Sequence, residues 1–237
     1  MPNTVVISLI ACLAYGIESI FGFGGTIIFL GISGLLYDFN TLIKMAMVVG
    51  LASGLAVLIQ SYKYLSYYHL FNILLLTLPG ALIGTYLIDY LASQLLIKAF
   101  AVMLISYGFF NLIWPKILIP KIIKNLIIIL GGLIQGIFTI GGPFVLMGYK
   151  DNFENKQELR STMAGYFFLI NSLRAIFFML IGGSYTEIVI SYYPIAILVM
   201  ISVWLGYLVH RKIPEIMFKN IIIIAITIIG IIILFTK

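Results

Sequence analysis

The sequence predicts an all-α polytopic membrane protein, and three observations favour this fold class. Hydrophobic residues make up 62% of the chain and charged residues 9%, whereas a soluble domain carries roughly 25% charged residues. The apolar residues form runs near the length of about 20 residues that a helix needs to cross a bilayer. These runs lack the strict alternation of a β-barrel, so a helical bundle is the remaining structure that satisfies its own backbone hydrogen bonds in lipid.

Polar or charged residues divide the chain into eight apolar segments. The segments lie near residues 3–37, 41–61, 70–91, 94–113, 121–149, 160–183, 188–209 and 214–236. Tyrosine and tryptophan residues cluster near the segment ends, which is typical of an aromatic belt at the membrane interface. The longest polar stretch, residues 148–160, is too short to fold as a soluble domain.

Composition also excludes several classes of function. The single cysteine, Cys12, excludes an internal disulfide and a cysteine-based metal cluster. Neither histidine lies within a segment, and no Walker-type loop, HExxH sequence or paired aspartate motif is present. The net charge of +6 falls mostly in loops, where it orients a membrane protein rather than binding nucleic acid. We therefore expect no enzymatic activity, no cofactor, no metal and no nucleic-acid partner.

Glycine clusters interrupt the first and fifth segments. The first carries Phe-Gly-Phe-Gly-Gly-Thr at 21–26, and the fifth carries Thr-Ile-Gly-Gly-Pro at 139–143. Glycine permits unwound backbone, and proline suits the first turn of a new helix. Each of these two segments is therefore predicted to be a glycine-broken helix or a re-entrant hairpin.

The two interruptions lie 117 residues apart, which is about half the chain. Aligning Gly24 with Gly141 places Glu18 opposite Gln135. This spacing predicts two pseudo-symmetric four-segment repeats, residues 1–116 and 117–237. Matching breaks in two halves of a membrane protein point to the binding site of a transporter.

Two arrangements of the halves stay open. If all eight segments cross the membrane, the loop and segment-end basic residues divide 8 to 5 between the two sides. If the interrupted segments are re-entrant, the halves are inverted and the same residues divide 10 to 3. The positive-inside rule favours the second arrangement.

The glycine-containing stretches at 22–26 and 136–143, with Leu-Pro-Gly at 78–80 and Gly-Thr-Tyr-Leu at 84–87, are similar to those of a known family. Over nearly its whole length the chain resembles the sulfite exporter TauE/SafE family, also called the toluene-sulfonate uptake permease family. The resemblance implies seven to nine spans in two related halves, and a small anion such as sulfite or an organosulfonate as substrate. The chain departs from the family pattern in lacking a proline after the first glycines and in carrying Glu18 before them.

The two breaks are the candidate binding site. Helix N-termini near Thr26 and Pro143 would present free N–H groups and positive dipole ends to an anion at mid-membrane. The competing interpretation is that the glycines only permit close helix crossing. The predicted substrate-binding residues are Gly22, Gly24, Gly25, Thr26, Gln135, Thr139, Gly141, Gly142, Pro143, Asn171 and Arg174.

Two charged residues lie within apolar segments. A charge in the membrane is costly, so Arg174 should face the interior, where it either neutralises a bound anion or pairs with Glu18. Because burial disfavours the charged form of a carboxyl group, Glu18 is a candidate proton carrier for coupled transport. A structural hydrogen bond is the alternative role for Glu18.

The sequence thus predicts a secondary transporter, and specifically an exporter, of small anions that works by alternating access in the cell membrane. An anion channel or a non-transporting assembly partner is the alternative. The expected partners are a small anionic substrate and the lipid bilayer, and self-association into a homo-oligomer stays open.

Overall fold

The computed structural model describes residues 4–21, 24–113, 120–181, 185–210 and 215–237. Over these ranges the chain forms ten α-helices and no β-strand. Their bounds are α1 Thr4–Phe21, α2 Gly25–Gly34, α3 Phe39–Ser61, α4 Tyr67–Leu87, α5 Ser93–Ile113, α6 Lys121–Phe138, α7 Gly142–Tyr149, α8 Lys156–Leu180, α9 Tyr185–His210 and α10 Glu215–Thr236. The all-helical prediction is confirmed, and the first and fifth apolar segments each contain two helices.

Five helices in the described part of the chain are long and apolar enough to cross a membrane: α3, α4, α5, α8 and α9. At 1.5 Å per residue, about 20 helical residues span the roughly 30 Å hydrocarbon core. Leu75 and Leu180 expose 75% and 79% of their surface, as expected of side chains that face lipid rather than water. The helices α1, α2 and α7 are shorter than these spans.

Short polar side chains cap the N-termini of the spans α3 and α8. The Asp38 carboxylate accepts a hydrogen bond from the Thr41 backbone N–H (2.9 Å), which caps the N-terminus of α3. Asn155 caps α8 in the same way by accepting from the Glu158 N–H (2.9 Å). Ser93 at the start of α5 donates to Asp38 (2.9 Å), so this cap also joins α5 to α3.

The central spans α3 and α8 pack against each other and run antiparallel. Near the end of α3 and the start of α8, the Ser161 hydroxyl donates to the Ser61 carbonyl (2.8 Å). Near the start of α3 and the end of α8, the Lys44 ammonium lies 5.2 Å from the centre of the Phe178 ring. Contacts at both ends therefore give the two helices opposite directions.

The short helices α2 and α7 each lie alongside the helix that precedes them. Tyr15 of α1 is hydrogen-bonded to the Thr26 hydroxyl (3.0 Å), and its ring centre lies 6.2 Å from that of Phe29. Gly148, near the end of α7, approaches the start of α6 so closely that a Cβ there would lie 2.8 Å from the Lys124 carbonyl oxygen. In both cases the chain turns back after the longer helix.

Small residues allow helices from different parts of the chain to cross closely. Where α4 meets α6, a Cβ at Gly84 would lie 2.9 Å from the Gly136 Cα. Where α9 meets α1, a Cβ at Gly206 would lie 3.1 Å from the Ser19 Cβ. Such residues let backbones approach within the bilayer, where dispersion rather than water exclusion holds helices together. A third crossing joins α5 to α10.

Candidate functional site

Two sharp turns bring the candidate site together. Between α1 and α2, Gly24 has φ +102°, a left-handed conformation that favours glycine. Between α6 and α7, the left-handed residue is Thr139 (φ +61°), which is uncommon for a β-branched residue. Pro143 follows in the first turn of α7, where its missing N–H costs nothing.

A cavity lies between these turns, with about 380 Å³ of space unoccupied by protein atoms, counting its opening. Gly50, near the middle of α3, forms part of its wall, so the cavity lies at mid-height in that span. Seven of the predicted site residues line it: Glu18, Gly24, Thr26, Thr139, Gly142, Pro143 and Asn171. Four further lining residues were not predicted from the sequence: Ile27, Gly50, Ile140 and Phe167.

The other predicted residues lie around this wall. Gly25, Gln135 and Gly141 are hydrogen-bonded to one another or to lining residues, and Arg174 donates to two of the lining side chains. Gly22 lies outside the described residues. The turns of both chain halves therefore meet at one cavity.

In the first turn, Glu18 binds the beginning of α2. One carboxylate oxygen accepts from the Gly25 backbone N–H (2.8 Å), and the other accepts from the Ser53 hydroxyl of α3 (2.9 Å). The leading N–H of α2 is thus occupied by a side chain, whereas the sequence interpretation expected this N-terminus to be open to an anion. The Glu18 carboxyl group therefore occupies the helix end at which the helix dipole favours negative charge.

In the second turn, Gln135 has the same structural role with a neutral amide. Its side-chain oxygen accepts from the Gly141 N–H (2.6 Å), and its NH₂ group donates to the Asn171 side-chain oxygen (3.1 Å). Gln135 has no exposed surface. Glu18 and Gln135, which are opposite each other in the sequence alignment, thus each accept from a glycine N–H, although Gly25 and Gly141 are offset by one residue in that alignment.

Arg174 lies behind the cavity wall with none of its surface exposed. Its guanidinium donates to the hydroxyls of Thr85 (2.8 Å) and Thr139 (3.1 Å) and to the Asn171 side-chain oxygen (3.0 Å), and it also bonds the Gly136 carbonyl. A buried charge is stabilised when several hydrogen bonds satisfy it. These contacts differ from the predicted alternative of an ion pair with Glu18.

The contacts of Arg174 leave hydrogen-bond donors for the cavity. Because Thr139 accepts from Arg174, its own hydroxyl hydrogen is left to donate to another group. The Asn171 oxygen accepts from both Gln135 and Arg174, so the Asn171 NH₂ group lies on the side of Gly50. A Cβ at Gly50 would lie 3.2 Å from that nitrogen. The wall thus offers a hydroxyl and an amide donor.

Three contributors to this network were missed in the sequence. Gly50 and Ser53 lie at i and i+3 of α3, with Gly54 next to them, so they form one small-residue face of the helix. That spacing indicates close helix packing, and it is the sequence feature from which Gly50 and Ser53 could have been identified. Thr85 lies beside Gly84 of the recognised motif, but nothing in the sequence connects it with Arg174.

Lys44 and Arg160 are the basic residues nearest the starts of the apolar segments that follow the two turns. Lys44 forms a 2.6 Å ion pair with Asp89. Arg160 donates to the Ser19 carbonyl (3.1 Å), and its guanidinium lies 4.9 Å from the centre of the Tyr207 ring. Neither residue belongs to the cavity lining described above.

Comparison with known proteins identifies the family. The profile of the family described as "Sulfite exporter TauE/SafE" matches residues 7–233 of the 237 residues. Compared with curated proteins and with solved structures, the chain shows no match. The family match covers both turns, the cavity and all five long apolar helices. The chain therefore belongs to the sulfite exporter TauE/SafE family, whose members are transporters rather than enzymes, and it is an integral membrane protein.

Proposed function

We propose that the protein is a secondary transporter that exports a sulfur-containing anion, sulfite or an organosulfonate, across the cell membrane. The observation that carries this proposal is the cavity between the two turns, with donors from Thr139 and Asn171 oriented by the buried Arg174. The family supplies the substrate class, and the cavity supplies a place between the two turns with hydrogen-bond donors in its wall.

The chemistry of the wall suits an oxyanion. Sulfite and sulfonate groups present several acceptor oxygens, which match the Thr139 hydroxyl and the Asn171 amide. Gly24 and Gly142 have no side chain, so the anion can approach the backbone of both turns closely. The Arg174 charge acts through Thr139 and Asn171 rather than by direct ion pairing in this arrangement.

The packing supports two inverted repeats. Exchanging α1 with α6, α3 with α8, α4 with α9 and α5 with α10 preserves the main contacts, since α4 packs on α6 as α9 packs on α1. The antiparallel α3 and α8 are expected for inverted halves, whereas parallel halves would align them. The hairpins α1–α2 and α6–α7 then enter and leave on one side, which corresponds to the 10 to 3 division of basic residues.

The same packing suggests which groups of helices move. One group contains α1, α2 and α9, and the other contains α4, α6 and α7, so each group mixes helices from both sequence halves. The cavity lies between the two turns that these groups contain. Rocking of one group against the other would expose the anion to the two sides of the membrane in turn, as in other transporters with inverted repeats.

The test is anion flux into proteoliposomes, comparing sulfite, sulfoacetate, sulfate and chloride. We expect saturable movement of at least one sulfur-containing anion, accelerated by the same anion on the opposite side. Phe167→Trp should lower this flux at least tenfold because Phe167 lines the cavity. The matched control is Phe71→Trp, at a position of α4 that is 59% exposed, and it should leave flux unchanged.

The outcomes separate the candidate functions. Flux that does not saturate and shows no acceleration from the opposite side would indicate a channel. If none of the four anions moves while the protein inserts normally, the transport proposal is wrong and an assembly role gains support.

A further inference from the structure

The cavity wall contains a carboxylate that an anion site does not need. Glu18 lines the cavity and is partly exposed to it. A fixed negative charge there repels an incoming anion, and repulsion is strong in a site with little water. Either another group neutralises Glu18 when the anion binds, or the site binds anions poorly.

The structural role of Glu18 does not explain its charge. Gln135 makes a similar contact in the other turn, accepting from a glycine N–H with a neutral side chain. Glutamine at position 18 could accept from the Gly25 N–H with its side-chain oxygen and donate to the Ser53 hydroxyl with its NH₂ group. The carboxylate therefore adds something beyond holding the turn.

The surroundings of Glu18 can satisfy both of its protonation states. In the ionised state it accepts from the Gly25 N–H and from the Ser53 hydroxyl. A serine hydroxyl can also accept, so a protonated Glu18 can donate to Ser53 and still accept from Gly25. A proton can thus be gained or lost without leaving a buried polar atom unpaired.

Few other charged groups are placed near this carboxyl group. On α1, Tyr15 lies one turn before it, with its hydroxyl bonded to Thr26. On α8, Arg160 binds the carbonyl of the adjacent Ser19 and lies beside Tyr207 of α9. Arg174, also on α8, donates to Thr139 and Asn171 of the same cavity wall. On α3, Lys44 pairs with Asp89, and the α2 sequence contains no titratable residue. Arg160 and Lys44 therefore contact other groups in place of the Glu18 carboxylate.

We propose that Glu18 takes up a proton when the substrate anion binds, so that the protein moves the anion and a proton together. This inference rests on the proposed anion-transport function and names the coupling ion. The proton comes from the side on which the anion enters, converts the carboxylate to the neutral acid, and is released with the anion on the other side.

The first experiment counts protons taken up when an anion binds to the purified protein in detergent. Sulfite, sulfoacetate, sulfate and chloride are added in weakly buffered, sodium-free medium that contains a pH indicator. Wild type is compared with Glu18→Gln, since any proton bound by the anion itself is common to both proteins. We expect wild type to take up a proton that Glu18→Gln does not.

The pH profile of binding gives a second measurement. Relative to Glu18→Gln, wild-type affinity should fall about tenfold for each pH unit above the midpoint, because the profile of Glu18→Gln contains only the titration of the anion itself. The matched control is Glu158→Gln, which removes a carboxylate near His69 (3.8 Å) and should keep the wild-type slope. Thermal unfolding in detergent checks that each variant is folded.

Ser53→Ala provides a variant that keeps the carboxyl group. Both protonation states of Glu18 lose the contact with Ser53, but the hydrogen bond to the ionised carboxylate is the stronger of the two. The midpoint of the pH profile should therefore move to more alkaline pH. A purely structural role of Ser53 would leave the midpoint unchanged and lower only the unfolding temperature.

The outcomes distinguish this inference from the function on which it rests. Equal proton uptake and equal pH slopes in wild type and Glu18→Gln, with anion binding intact, would overturn proton coupling and leave anion transport standing. Failure of every anion to bind wild type would contradict the transport function and the coupling together.

Discussion

Arg174 contacts two residues of the cavity wall, Thr139 and Asn171, from behind. The sequence alone predicted an inward-facing arginine because a charge in lipid is costly. It left open whether the partner would be a bound anion or Glu18. The structure places its hydrogen bonds on neutral oxygens, so at this scale Arg174 positions the donors that face the cavity.

Arg174→Lys tests this positioning role. A lysine keeps the positive charge but cannot donate in the planar fork of a guanidinium. We expect the free energy of unfolding to fall by about 2–3 kcal/mol, since hydrogen bonds to a charged group are lost, and anion affinity to fall at least tenfold. Arg160→Lys is the control, with a smaller effect on affinity. Wild-type affinity in Arg174→Lys would contradict the positioning role.

Thr139 is expected to donate directly to the anion. Thr139→Val removes the hydroxyl and keeps the branched shape, so anion affinity should fall by roughly tenfold, corresponding to about 1.4 kcal/mol. Thr139→Ser keeps the hydroxyl and should retain most of the affinity. Binding of sulfite to the purified proteins, measured by calorimetry, compares the three. Equal affinities for the valine and serine variants would exclude this hydrogen bond.

At the scale of helices, the caps and close crossings determine where each element begins and how near it lies to its neighbour. Asp38 caps α3 and contacts Ser93 of α5, so one carboxylate stabilises two helix starts. Gly84 and Gly136 allow α4 to approach α6. The sequence indicated both features, since Asp38 precedes an apolar run and Gly84 belongs to the recognised motif.

Asp38→Ala should lower the free energy of unfolding by about 1 kcal/mol, the usual effect of losing an N-cap. Burial raises the pKa of Asp38, but hydrogen bonds from Thr41 and Ser93 outweigh this effect and hold that pKa below its usual value. The stabilisation is therefore present above the unfolded-state pKa of about 3.9 and is lost as the pH falls through the lower folded-state pKa. Asp38→Asn is the control, because it retains capping but removes this pH dependence.

Gly84→Val tests the crossing of α4 and α6. A Cβ at this position would lie 2.9 Å from the Gly136 Cα, so the helices must separate. We expect overpacking to lower the free energy of unfolding by about 1–3 kcal/mol. Ile83→Val, at the neighbouring position that is 57% exposed, should change stability little. Unfolding of the purified variants in denaturant measures both, and equal stabilities would mean that the crossing is loose.

For the whole molecule, the decisive feature is the direction of the two central spans. Contacts of Ser61 with Ser161 and of Lys44 with Phe178 place the end of α3 near the start of α8 and the start of α3 near the end of α8. If every apolar segment crossed the membrane, these ends would lie on opposite sides. The contacts therefore favour the inverted arrangement.

Cysteine labelling in oriented vesicles tests this topology in a Cys12→Ser background. Tyr64→Cys and Glu154→Cys should react with an impermeant maleimide from the same side, and Tyr90→Cys from the opposite side. All three positions are exposed. The positive-inside rule places the first two in the cytoplasm. Reaction of positions 154 and 90 from the same side would instead support eight crossings.

Local composition and residue spacing were sufficient to predict the fold class, the two turns and the family. Long apolar runs require helices in lipid, and glycine with proline marks the positions of the two turns. The quoted motifs indicated the TauE/SafE family, which the family match confirms. Seven of the predicted site residues line the cavity because these turns carry most of them.

The contacts between distant segments could not be predicted from the sequence and are known only from the structure. It determined that α2 and α7 turn back along α1 and α6, that Glu18 occupies the start of α2, and that Arg174 supports the cavity wall. The structure also shows that Gly50 lines the cavity and that Ser53 binds Glu18. Each of these features depends on which helix lies beside which, and that is set by the packing of residues far apart in the chain.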